Sequence, residues 1–87
     1  MKSTHQKTLA AIFREPVPRS LEWRNIELLF IALGAEVVEG SGSRVRFFIG
    51  NVVATFHRPH PCKEAKPYQV RDARNFLVSA GFGPGKE

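Results

Sequence analysis

The chain has 87 residues, enough for one domain with one economical core and no room for a second. Hydrophobic residues make up 43% and charged residues 24%, an ordinary globular balance, and the longest apolar run, Leu28 to Leu33, is far short of the ~20 residues that span a bilayer. A single cysteine, Cys62, excludes an intrachain disulfide, which fits a reducing cytosol, and the net charge is +5.

Taken in chain order, the polar start "MKSTHQKT" has no apolar signal core, which together with the lone cysteine predicts a cytoplasmic protein. Residues 4–14 then read as a short helix with Leu9, Ile12 and Phe13 on one face and Thr4 as its N-cap. "EPVPRS" stops it, because two prolines remove donors and bias the chain towards extended backbone. A second helix is predicted over Leu21–Leu33, with Trp23, Ile26, Leu29, Phe30 and Leu33 at helical spacing and Gly34 placed to end it.

The period then changes from about 3.6 to 2. Residues 35–39 read as a strand closed by Gly40-Ser41-Gly42, and residues 44–49 and 52–58 flank Gly50-Asn51, a two-residue hairpin signal. That turn sets a register: Ile49 opposite Val52, Phe47 opposite Ala54 and Val45 opposite Phe56, all on one apolar face. The other face pairs Phe48 with Val53, Arg46 with Thr55 and Arg44 with His57. Pro59 and Pro61 end the strand, since neither can donate to a ladder. A last helix is expected over Tyr68–Ala80, with Gly81 as its stop and residues 83–87 as a frayed tail. The expected fold is α+β: a three-stranded antiparallel sheet with helices on one face, in the order α-α-β-β-β-α, as a single domain of residues 1–87.

Charge is unevenly placed. Residues 1–40 carry equal numbers of basic and acidic side chains, whereas Arg44, Arg46, Arg58, Lys63, Lys66, Arg71, Arg74 and Lys86 face only Glu64, Asp72 and Glu87 in the second half. A basic half on a small domain suggests a polyanion such as nucleic acid, or simply a solubilising surface. The stretch "FHRPHP" (residues 56–61) lies at its centre. His57, His60 and Cys62 could ligate a soft metal, but no second cluster completes a four-ligand site, so no metal and no other cofactor are expected. Cys62 has no Asp or Asn placed to orient a base, and "GSGS" opens into a strand rather than a helix, so neither thiol catalysis nor a nucleotide loop fits. Metal-free RNA cleavage needs less: a base, an acid and cations. Histidine supplies either proton role near neutrality, and Arg44, Arg58, Lys63 and Lys66 can supply the charge. The competing reading is a histidine that merely ends a strand.

The segment "HRPHPCKEAKPYQVRDARNFLVSAGF" (residues 57–82) resembles the C-terminal half of HicA-type toxins, with "HP", a following Glu and Lys, and a helix closing on "AG". The likeness runs back through "EGSGSRVRF" and "WRNIELLFIALGAE", so it covers about residues 20–82, with residues 1–19 as a helical extension. It implies a fold similar to the double-stranded-RNA-binding domain, an mRNA interferase acting on mRNA, and a HicB-like antitoxin as partner, with no membrane. Family members usually carry a histidine directly after Gly-Ser at the start of the second strand. Here Gly42-Ser43 is followed by Arg44, so either activity is lost or another imidazole takes over. The register places His57 across from Arg44. The expected catalytic set is therefore His57, His60, Arg44 and Ser43, and the expected RNA contacts are Arg44, Arg46, Arg58, Lys63 and Lys66.

Overall fold

The computed structural model describes residues 2–83. Its elements are α1 (Ser3–Ile12), α2 (Trp23–Ala32), β1 (Glu36–Glu39), β2 (Arg44–Ile49), β3 (Val52–His57) and α3 (Pro67–Ser79), the expected α-α-β-β-β-α order. The strands form one antiparallel sheet in the order β1-β2-β3. Gly50 opens the β2–β3 turn at φ +59, and the register follows it: Ile49 pairs with Val52, Phe47 with Ala54, Val45 with Phe56 and Arg44 with His57. On the other side β1 pairs Val37 with Phe47 and Val38 with Arg46.

Alternation then sorts the side chains. Val45, Phe47 and Phe56 are buried under the helices, whereas Arg44, Arg46, Thr55 and His57 are exposed on the opposite face. The covered face holds an aromatic core. Trp23 packs on Phe56 with ring centroids 5.0 Å apart, Phe30 meets Phe47 edge-on at 5.0 Å, and Phe76 of α3 meets Phe30 at 4.9 Å. Ile26, Leu29, Val70 and Leu77 complete it. Leu33 and Ala54 are only half-buried, because they lie at the edge of this layer rather than beneath it.

Several boundaries differ from the sequence expectation. The helix after the two prolines begins at Trp23, not Leu21, because the preceding backbone is taken by another partner: Trp23 N–H donates to the Lys63 carbonyl (2.9 Å), Ala65 N–H to the Leu21 carbonyl (2.8 Å), and Glu22 bridges Glu64. Thr4 does not cap α1. It lies inside the first turn, where its carbonyl accepts the Thr8 hydroxyl at 3.0 Å. α3 starts at Pro67, since proline's missing donor is harmless in a first turn. The first helix is not loosely appended: Leu9 and Ile12 belong to the same core as α2 and α3. Arg74 of α3 holds the chain just beyond it, donating to the Ile12 carbonyl (3.0 Å) and the Arg14 carbonyl (3.2 Å) and pairing with Glu15. Of the expected frayed tail, residues 84–87 lie outside the described residues.

Candidate nucleic-acid interface

The open face of β2 and β3 brings Arg44, Arg46 and His57 to one solvent-facing surface, with no ion pair to any of the three among the described residues. Arg44 and His57 are direct partners across the hairpin, which sets their Cβ atoms roughly 5 Å apart on one face. Gly40 packs close to the arginine: a methyl group there would come within 3.2 Å of the Arg44 stem, which would have to give by a few tenths of an ångström. Ser43 stands at the end of the ladder, where its carbonyl accepts the Arg58 N–H at 2.9 Å.

Beyond the ladder the chain turns away from the face. His60 is exposed in the loop, as are Lys63 and Lys66. Lys63 lines a hollow of about 400 Å3 together with Glu22, Arg24, Arg58, Pro59 and Cys62, beside the start of α2. Lys66 is the N-cap residue of α3. Its backbone N–H donates to Oε1 of Gln69 (3.0 Å), and Nε2 of the same amide donates to the His57 carbonyl (2.7 Å).

Arg58 is placed differently from the other expected RNA contacts. It follows His57 by one residue and so turns to the covered side of the sheet. There its Nε and Nη2 donate to the two carboxylate oxygens of Glu27 (3.1 and 2.7 Å), and Nη1 and Nη2 donate to Glu39 (2.7 and 3.0 Å). Trp23 Nε1 donates to the same Glu27 at 2.8 Å. The two carboxylates, Glu27 first, hold the Arg58 guanidinium even more firmly charged than usual, and Arg58 in turn holds the Glu39 carboxyl below its ordinary range. This guanidinium is engaged on two sides before any phosphate arrives.

The sequence reading missed Glu27, Glu39 and Gln69. The last had a signal, a glutamine three residues after the residue preceding a proline-started helix, which is half of a capping-box pattern. Among the described residues no three His, Cys, Asp or Glu side chains converge where a metal ion could be held, and no helix is long and apolar enough to cross a membrane.

A three-stranded sheet with one face under helices and the other open and cationic defines a small α+β module of the double-stranded-RNA-binding-domain type. The family model described as HicA toxin of bacterial toxin-antitoxin matches residues 23–81, from the first residue of α2 to the glycine after α3, and the chain belongs to that family. No curated protein and no solved structure matches the chain.

Proposed function

We propose that the chain is an mRNA interferase, an endoribonuclease that cleaves mRNA in the cytoplasm by a metal-independent route and is restrained by a HicB-like antitoxin. Family membership supports the toxin role, and one observation carries the chemistry: an exposed imidazole, His57, directly across the hairpin from an exposed guanidinium, Arg44, that has no ion pair among the described residues. His57 takes the proton from a ribose 2′-hydroxyl. The freed oxygen attacks the adjacent phosphorus, Arg44 offsets the charge that builds on the phosphoryl oxygens, and the 5′-oxygen leaves with a proton supplied by a second acid, for which His60 is the nearest imidazole in sequence. The products are a 2′,3′-cyclic phosphate and a 5′-hydroxyl. Ser43 sits beside Arg44 as a hydroxyl donor to the same phosphate. Arg46, Lys63 and Lys66 grip the flanking backbone. Arg58, held by Glu27 and Glu39, shapes the loop rather than gripping RNA.

A sole general base is worth ~10²–10⁴ in rate. Expression without the antitoxin should therefore arrest growth for the wild type and not for His57→Ala, with His60→Ala costing less. Equal toxicity of the wild type and His57→Ala would remove His57 from the mechanism. A second reading, a catalytically inactive module that binds RNA or the antitoxin, is favoured by one observation, the arginine standing where family members usually carry a histidine. A harmless wild type that still binds RNA would establish it.

A further inference from the structure

The buried amide of Gln69 joins two residues that the proposed chemistry uses separately. Just past β3 the Arg58 N–H points back to the carbonyl of Ser43, the residue before β2, so the trans peptide turns the His57 carbonyl to the outer edge of the sheet, where no further strand pairs among the described residues. Gln69, 2% exposed, supplies that carbonyl with a donor at 2.7 Å. Its other end accepts the Lys66 N–H at 3.0 Å, one of the donors that a helix start leaves unpaired. The amide cannot be turned over: reversed, it would set oxygen against the His57 carbonyl and NH2 against the Lys66 N–H.

Capping alone does not explain the choice of residue. A glutamate at this third helical position accepts the same N–H, and its charge suits the positive end of the helix better. What a glutamate carboxylate cannot do is donate to His57. We propose that Gln69 is a positioning residue, whose amide fixes where the imidazole at the end of β3 stands relative to the ammonium of Lys66 at the start of α3. The two groups come from different elements, and this side chain bonds to the backbone of both. The inference rests on the reading of His57 and Lys66 as RNA-handling groups.

Gln69→Glu separates the two bonds, keeping the cap and turning the His57 contact into one between two acceptors. That variant should melt below wild type, because a carboxylate facing a carbonyl is then buried, so the two proteins are compared at a temperature where both are folded. Its His57 ring and Lys66 amide NMR signals should move, and RNA turnover should fall about tenfold or more with little change in KM, since misplacement of a reacting group by about 1 Å can cost ~10²-fold. Lowering the pH protonates the introduced carboxyl and restores a donor, so activity relative to wild type at the same pH should rise on acidification. In the wild type, the Gln69 side-chain amide protons should exchange slowly with solvent. Unmoved His57 and Lys66 signals with wild-type turnover in Gln69→Glu would overturn the proposal, and so would freely exchanging Gln69 amide protons. If the wild type cleaves no RNA, the ribonuclease reading falls by itself, and the NMR signals and amide exchange still decide the role of Gln69.

Discussion

The two faces of the sheet are written in the same six-residue strands and differ by a single step of alternation. On the covered face Val45, Phe47 and Phe56 are sealed against Trp23, Phe30 and Phe76; on the open face Arg44, Arg46 and His57 stand in solvent. Arg44 and Arg58 show what the difference means for a charge. Arg44, on the open side, has no ion pair among the described residues, whereas Arg58, on the covered side, is clasped by Glu27 and Glu39. The net charge of the chain counts both arginines alike, and strand parity decides which one is left open to solvent.

The largest expected effect is on the covered face. Phe56→Ala should cost ~3–5 kcal/mol, most of the stability of a domain this size, read as loss of cooperative unfolding at 37 °C. A near-wild-type melting curve would mean that the parity is reversed. The next effect separates the two arginines. Arg58→Ala leaves Glu27, with its side chain only 18% exposed, without its cation and should cost about 1–3 kcal/mol while leaving the salt dependence of RNA binding unchanged. Arg44→Ala should do the reverse: stability within about 0.5 kcal/mol of wild type, and a log–log salt slope shallower by about 0.7 for single-stranded RNA. The opposite pattern would break the comparison. The smallest effect is the acid limb. Glu39 has its carboxyl pKa held below the ordinary 4.5 by the Arg58 hydrogen bond, so its contribution is present above that value and lost as pH falls through the lower folded-state value. Glu39→Gln should lower the neutral melting temperature slightly and flatten its further loss below about pH 4.5. An unaltered acid limb would assign that loss to other carboxyls.

Local signals carried most of the fold. Gly50-Asn51 set the hairpin register to the residue, and the change of period after Gly34 separated helix from strand. The same register sets Arg44 opposite His57. What the sequence could not show was set by contacts between distant segments. Arg58 and Glu27 are 31 residues apart, and nothing in the "FHRPHP" stretch indicates that a carboxylate of α2 lies beneath it. The start of α2 was misjudged for the same reason, since the loop that takes the Leu21 and Trp23 backbone groups comes some forty residues later. Gln69 reads as a helix-start glutamine from sequence, and its second bond appears only when β3 is laid beside α3.

The grip of Arg74 on the carbonyls of Ile12 and Arg14 joins residues 62 and 60 positions apart. It closes the molecule into a loop, with the first and last helices meeting and the sheet between them. The family-matched span of residues 23–81 does not include the partners of this clasp, nor Leu9 and Ile12, which pack into the core. A chain cut at residue 23 would begin with its core uncovered on that side. The first helix thus works as a lid on the hydrophobic interior, and opening it would loosen the same α3 whose first turn anchors His57 and Lys66.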